Sequence, residues 1–229
     1  MILDAARAAA SRLFSPEFRS VFLKTLGLTL LALVAFWFGI ESLLEWLAWP
    51  WLQGPGLPSW AGWLGAIVAG ILLAMGMALL VAPVTAVIAG LFLDDIAEVV
   101  ERTDYLDDPP GRPVPALHSL ALAIKFFGVV VLGNIVALLL LLVPGINIAA
   151  FFIVNGYLLG REFFEFAAMR FRPEAEAKAL RRKHAGTVFL AGLIIAAFLA
   201  VPLLNLLTPL FAAAMMVNLH KAVSAREKA

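Results

Sequence analysis

Residues 15–20 are the part of this chain whose residue types could bind an oxyanion. Ser15 followed by Pro16 is typical of a helix start, with serine as the N-cap and proline at the first helical position. This pattern places Arg19 in the first turns of the helix. Free N–H groups at a helix N-terminus, together with an arginine fork, suit a tetrahedral oxyanion. The alternative is that Arg19 lies at a membrane interface and extends its guanidinium group toward lipid headgroups.

Two apolar runs without a charged residue, 126–160 and 185–219, are each 35 residues long and each contain a proline near the middle. Because proline lacks a backbone donor and clashes with the preceding turn, each run is predicted to form two helices that meet at a bend. Paired, interrupted apolar segments point to a transport site, although asparagines in such runs also serve as caps and interhelical hydrogen-bonding groups. The matching bend residues are Pro144 and Asn147 in the first run, and Pro202 and Asn205 in the second.

Other motifs that could carry chemistry are absent from the sequence. The chain has no cysteine, which excludes disulfides, a thiolate metal site and a cysteine nucleophile. Its three histidines are isolated, and no hydrolase, Walker or zinc-protease motif occurs. Asp94, Asp95 and Glu98 are clustered, but we expect them to be solvated side chains rather than metal ligands. The sequence therefore predicts no catalytic site, no metal and no cofactor.

Composition assigns the chain to a membrane. Of its 229 residues, 63% are hydrophobic, compared with about 45–50% in a soluble domain. The formal net charge is only +1, so no basic field argues for nucleic acid as a partner. We therefore predict an all-α integral membrane protein whose first partner is the lipid bilayer.

The charge pattern divides the chain into segments of a single membrane domain. Residues 1–24 are predicted to be an interfacial segment, either an amphipathic helix or a frayed terminus, and they are too charged for a cleavable signal peptide. Two long spanning helices follow within 25–93, joined by a turn over 50–59 that lies in a tryptophan-rich stretch, with Trp46, Trp49, Trp51, Trp60 and Trp63 in or beside it. The remaining segments are an acidic one at 94–125, a first hairpin at 126–160, a basic one at 161–184, and a second hairpin with the tail at 185–229.

All 17 lysine and arginine residues lie outside 41–60. If each hairpin enters and leaves on one side, the positive-inside rule therefore places both termini in the cytoplasm. Hairpin arms of 16 to 18 residues span roughly 26 Å, which is short for a hydrocarbon core of about 30 Å, so the hairpins are predicted to penetrate the bilayer only in part. Irregular backbone at their tips must be buried in protein, which predicts a homo-oligomer.

The order and length of these segments resemble the CysZ sulfate permeases over nearly the whole chain. Residues 201–209, followed by an apolar helix and a basic tail, are similar to the final hairpin of that family, and residues 143–163 resemble its earlier hairpin. Residues 15–20 lie where the family has Pro-Gly-Leu-Arg-Arg. Arg19 matches the first arginine of that motif, Ser20 replaces the second, and Glu17-Phe18 replace Gly-Leu.

The resemblance implies sulfate uptake across the bacterial inner membrane, which would supply sulfur assimilation and cysteine synthesis. It also implies two long spanning helices, partly penetrating hairpins and oligomeric assembly. The sulfate-binding residues of this chain would be Phe18, Arg19 and Ser20. We expect weaker binding of a dianion here, because one positive charge is lost and a carboxylate is gained.

A second hypothesis from the residues is a non-transport membrane scaffold or lipid-interacting protein. Shallow hairpins, an amphipathic N-terminus and the tryptophan-rich turn fit it equally well. An intramembrane enzyme is disfavoured, because ionisable residues are missing from the interior of the apolar runs, apart from Glu41 and Glu45 near one end.

Overall fold

The computed structural model describes residues 1–52, 59–115, 121, 124, 146–201, 204 and 207–228. Among these residues there are eight helices with defined bounds and no strand, which confirms the predicted all-α class. The helices are α1 (Ile2–Arg12), α2 (Pro16–Leu52), α3 (Ser59–Leu91), α4 (Leu93–Asp104), α5 (Ile146–Met169), α6 (Glu174–Lys183), α7 (Ala185–Leu199) and α8 (Thr208–Lys228).

The chain divides into two compact units. The first unit contains residues 1–23 and 89–229, and the second contains residues 24–88. The first unit therefore holds the start of α2 and all of α1 and α4–α8. The second unit consists of the remainder of α2 and most of α3.

Helix α8 forms the centre of the first unit. Its residues 210–217 are all buried, and it packs against α1, α4 and α5. Helices α5 and α7 lie side by side and make the most extensive helix pair of this unit. The buried side chains of α8 are mostly alanine, methionine and valine, and the small ones among them allow neighbouring helices to approach closely.

The N-terminal helix α1 is packed into the first unit. Ala5, Ala9 and Leu13 recur at i, i+4 and i+8 and are all buried, so one face of α1 is covered by protein. The terminus is therefore a docked helix, and the frayed terminus that the sequence left open is wrong. Its opposite side still exposes Leu3, and Phe14 is exposed in the turn that follows.

The second unit has an apolar surface. Leu31, Phe38 and Trp63 are among many large apolar side chains that are exposed on α2 and α3. Among the described residues, one helix segment, 16–43, is long and apolar enough to cross a bilayer. A shorter apolar helical stretch lies at 62–77. Helices α6 and α7 are long and apolar enough to cross a bilayer only when they are taken together, and they are bent by 90° relative to each other.

Several helix ends differ from the predicted segment boundaries. Helix α2 continues through Pro50 to Leu52, so the first three residues of the predicted turn at 50–59 are helical. Proline removes one intrahelical donor and its ring clashes with the carbonyl four residues earlier, and the helix ends two residues after it. Helix α5 continues nine residues past Gly160 into the basic segment, and the acidic segment begins with the amphipathic helix α4.

Candidate functional site at the start of the second helix

Helix α2 begins where the sequence predicts it. The Ser15 hydroxyl accepts a hydrogen bond from the Phe18 backbone N–H at 3.4 Å, and the Ser15 carbonyl accepts one from the Arg19 N–H at 3.0 Å. Pro16 is the first helical residue, at a position whose N–H has no intrahelical partner in any case. The N-cap prediction is confirmed: the cap takes the Phe18 N–H, the first helical hydrogen bond takes the Arg19 N–H, and Pro16 has no N–H to offer.

The three residues of the predicted sulfate motif do not share one face of this helix. Phe18 is fully buried in the core of the first unit, at 0% exposure, whereas Arg19 and Ser20 are exposed. Successive residues differ by about 100° around a helix, which is enough to turn Arg19 and Ser20 away from the core that Phe18 enters. The structure thus offers Arg19 and Ser20 to a ligand and uses Phe18 to anchor the helix.

Glu17 shapes the electrostatics of this helix start. Its pKa is lowered, first by a hydrogen bond from its own backbone N–H, then by the Ser15 side chain and by the positive charge of Arg12. The carboxylate is therefore ionised, and it occupies donors at the helix N-terminus that an incoming anion would need. Glu17 acts as a competitor for any oxyanion that approaches Arg19.

Arg12 fixes the end of α1 that precedes this site. Its guanidinium group forms an ion pair with Asp104 at the end of α4. This contact ties α1 to α4 and leaves Arg19 and not Arg12 as the exposed cation nearest the cap. The turn between α1 and α2 is therefore positioned by α4.

Close to the end of α4 lies a buried ionic cluster that the sequence did not predict. Arg170, at 3% exposure, donates through Nε to Glu101 Oε1 at 2.8 Å and through Nη2 to Glu101 Oε2 at 3.1 Å. Its third nitrogen, Nη1, pairs with Asp94. Asp94 was expected to be solvated together with Asp95 and Glu98. The last two are exposed, but the expectation for Asp94 is wrong because α4 turns it toward Arg170.

Backbone groups complete this cluster. Glu101 Oε2 also accepts the Gly111 N–H at 2.8 Å, and the Arg170 carbonyl accepts the Arg112 N–H at 2.8 Å. A Cβ atom on Gly111 would lie 2.8 Å from Glu101 Oε1 and 3.0 Å from Arg170 Cβ, so a larger residue would have to displace the Glu101 carboxylate. The cluster therefore joins α4, the end of α5 and the segment 105–115.

Burial and charge act in opposite directions on these groups. Desolvation raises the pKa of Asp94 above its ordinary value, and the charge of Arg170 only partly opposes it. Desolvation acts to lower the pKa of Arg170, but hydrogen bonds and charges from Glu101 and Asp94 outweigh it and raise that pKa. The guanidinium group is thus held charged by two carboxylates, as expected of a buried ion pair with satisfied partners.

Helix α8 carries a second polar cluster. Asn218 donates to the Ala214 carbonyl and accepts from the Tyr105 hydroxyl at 2.9 Å, which is the interhelical type of role considered for asparagines in apolar runs. Lys221 pairs with Asp108 at 2.9 Å and lies 4.3 Å from the centre of the Phe171 ring. The cluster binds the segment after α4 to α8.

The predicted bend residues fall largely outside the described residues, as Pro144, Pro202 and Asn205 all do. Asn147 lies in the first turn of α5, which begins at Ile146. In the second run, α7 ends at Leu199 and α8 begins at Thr208, so the predicted division into two helices is confirmed there. No group of three or more acidic or histidine residues that could hold a metal ion occurs within the described part of the chain.

Comparison with known protein families gives one match. The family model described as "Sulfate transporter CysZ/Etoposide-induced protein 2.4" matches residues 5–209, which is most of the chain and includes the start of α2. The resemblance inferred from the sequence is thereby confirmed. No curated protein matches the chain significantly.

Proposed function

We propose that this chain, which belongs to the sulfate transporter CysZ/etoposide-induced protein 2.4 family, carries sulfate or a related oxyanion across the bacterial inner membrane. The observation that carries the proposal is the family match over residues 5–209. The exposed side chains of Arg19 and Ser20 at a capped helix start support it, because a guanidinium group and a hydroxyl group can both donate hydrogen bonds to an oxyanion. Transport would supply sulfur assimilation and cysteine synthesis and would need no ATP hydrolysis.

In this proposal each residue at the helix start has a separate role. Arg19 attracts the anion and donates two parallel hydrogen bonds to it. Ser20 donates one more through its hydroxyl group, and Phe18 holds the helix start in the core of the first unit. Glu17 weakens binding through its negative charge, so the affinity for a dianion is lower than two adjacent arginines would provide.

The proposed membrane arrangement has both termini in the cytoplasm. Helix α2 would cross outward from residue 25 onward and α3 would return, which leaves every lysine and arginine on the cytoplasmic side. The two bent runs would re-enter from that side, with Pro144, Asn147, Pro202 and Asn205 shaping the anion path. Their tips would be buried by assembly of identical subunits.

The direct test is uptake of radiolabelled sulfate into proteoliposomes that contain the purified protein. Saturable uptake that sulfite inhibits is the expected result, and Arg19→Ala should reduce it strongly. Arg7→Ala is the matched control, because Arg7 is an exposed arginine on α1 outside the predicted motif. Equal uptake by Arg19→Ala and the unmodified protein would remove Arg19 from the site.

A second candidate, a lipid-interacting protein without transport activity, is favoured by one observation. Leu3 and Phe14 expose large apolar side chains on either side of the charged residues of α1. Such a surface suits the membrane interface. Folded, inserted protein that shows no flux of sulfate, sulfite, phosphate or chloride would support this candidate over transport.

A further inference from the structure

The corner between α6 and α7 joins a charged helix to an apolar helix at a right angle. Helix α6 ends at Lys183, α7 begins at Ala185, and the two axes differ by 90°. Both helices pack on α5. Because α5 supports both sides of the corner, the angle between the two helices is set by packing and not by a free hinge.

One face of α7 is not covered by other residues that the structure describes. The opposite face is buried through residues such as Val188, Ala191 and Ile195. The uncovered side includes Leu190 at 53% exposure and, just after the helix end, Val201 at 45%. In a chain of a membrane transporter family, acyl chains are the solvent for such an apolar face.

Basic side chains immediately precede α7 in the chain, at the corner. The last turn of α6 contains Arg181, Arg182 and Lys183. Arg181 turns inward and forms an ion pair with Glu165 of α5 at 2.6 Å, whereas Arg182 and Lys183 are exposed.

The two exposed cations differ in how far they are neutralised. Lys183 pairs with Glu227 at 2.7 Å, and Arg182 has no ion-pair partner among the residues that the structure describes. Cations at a helix C-terminus also complement the helix dipole, but that effect does not require an exposed, unpaired arginine beside an apolar face.

We propose that this corner binds the headgroup of an anionic phospholipid, with Arg182 and Lys183 on the phosphate and the acyl chains along Leu190 and Val201. If α7 enters the hydrocarbon region, the right angle lays α6 along the membrane surface, at the depth of the headgroups. The guanidinium fork of Arg182 matches two phosphate oxygens. This site lies on α6 and α7 and does not depend on the sulfate site at the start of α2.

The first test compares how much phosphatidylglycerol and how much phosphatidylcholine the full-length protein retains in detergent. Native mass spectrometry measures the bound lipid. We expect preferential retention of phosphatidylglycerol, and a loss of roughly fivefold in its affinity for Arg182→Gln. Arg102→Gln is the control, because Arg102 is an exposed arginine on α4, outside the corner. Equal loss in both variants, or no preference for the anionic lipid, would overturn the proposal.

Two further arms separate the possible sources of the phosphate group. If the corner binds a headgroup, millimolar inorganic phosphate or sulfate should leave the retained lipid unchanged. Displacement by either ion would show a free-anion site and overturn the lipid assignment.

The second measurement places the corner in the bilayer. Because the chain contains no cysteine, a spin label at Leu190→Cys or Ala179→Cys has no background. The label at 190 should be accessible to oxygen and protected from a water-soluble nickel complex, and the label at 179 should lie near the interface. Full nickel access at 190 would contradict the proposal even if the variant of Arg182 failed to fold.

Discussion

Gly192 of α7 lies directly against the backbone of Gly156 of α5, so that a methyl group added to Gly192 would overlap the Gly156 carbonyl. Gly160, one turn further along α5, lies equally close to the backbone of α7, because a Cβ atom added to it would lie 2.6 Å from the Val188 carbonyl oxygen. Glycines four residues apart on one helix and a glycine on its partner allow the two backbones to touch. This contact explains why α5 and α7 form the most extensive helix pair of the first unit.

Gly192→Ala is expected to destabilise the protein. The added methyl group meets backbone atoms that cannot rotate away, so α5 and α7 must separate, at a cost of about 1–3 kcal/mol or more. Thermal unfolding of the purified protein in detergent should show a clear decrease in Tm. Gly186→Ala on the same helix is the control, because no atom lies within 4 Å of its added Cβ. A Tm for Gly192→Ala equal to that of the control would refute the close contact.

Arg170→Met is expected to be more damaging than Glu101→Gln. The first substitution leaves the buried carboxylate of Glu101 and the partly buried carboxylate of Asp94 without a cation, and breaking a buried pair in this way costs about 3–5 kcal/mol. Glu101→Gln retains the pair between Arg170 and Asp94, so its effect should be smaller. Chemical unfolding of each variant measures the difference.

Removal of the exposed pair between Arg102 and Glu98 serves as the reference for this series. Both side chains are largely exposed, so Arg102→Gln should change the free energy of unfolding by less than about 1 kcal/mol. If Arg170→Met were as mild as Arg102→Gln, the buried cluster would not stabilise the fold.

His220 should make the stability of the protein depend on pH. Burial, followed by the charges of Arg172 and Lys221, lowers its pKa from 6.5 to about 3. The stabilisation is therefore fully present above pH 6.5 and is lost as the pH falls toward 3, because the unfolded chain binds a proton that the folded chain rejects. At pH 5 the free energy of unfolding is expected to be about 2 kcal/mol lower than above pH 6.5.

His220→Phe should flatten this pH dependence. The ring of His220 stacks on Phe171 at 5.2 Å and its Nδ1 has no hydrogen-bond partner among the described residues. Phenylalanine keeps the stacking and loses only the contact between Nε2 and Ser224 Oγ at 3.2 Å. Unfolding curves between pH 5 and 8 test this expectation. An unchanged slope in His220→Phe would assign the pH dependence to another group.

Ser20→Arg should strengthen sulfate binding if the start of α2 is the anion site. The substitution adds a second guanidinium group beside Arg19 at an exposed position, and we expect the KM for sulfate uptake to fall several-fold. Glu17→Gln should act in the same direction, because it removes the competing carboxylate. Both gains should weaken at high ionic strength, as exposed charges are screened. An unchanged KM in both variants would place the site elsewhere.

The start of α2 could be predicted from the sequence because it depends on neighbouring residues. Ser15 accepts a hydrogen bond from the backbone three residues later, and Pro16 fixes its own φ angle in the helical range. Both effects involve only neighbouring residues. The all-helical class and the division of the second apolar run follow in the same way from hydropathy and from proline. The family itself was also recognisable, because the order of its segments is a property of the chain alone.

The buried cluster could not be predicted in this way. Arg170 and Glu101 are separated by 69 residues, and the residues around each of them do not indicate which distant residue it will contact. One signal was present, since Glu101 lies on the same side of α4 as the buried residues Ala97 and Val100. A carboxylate on an apolar face implies a buried partner, but only packing selects which cation that is.

The sequence by itself therefore determined the helical class, the apolar character of the long segments, the capped start of α2 and the family. Each of these rests on local propensity or on the summed transfer energy of consecutive side chains. Only the tertiary structure decided that α1 is docked, that Phe18 points inward while Arg19 and Ser20 point out, and that Gly192 meets Gly156. These features depend on which faces of distant helices come together, and that choice is made by the packing of the whole unit.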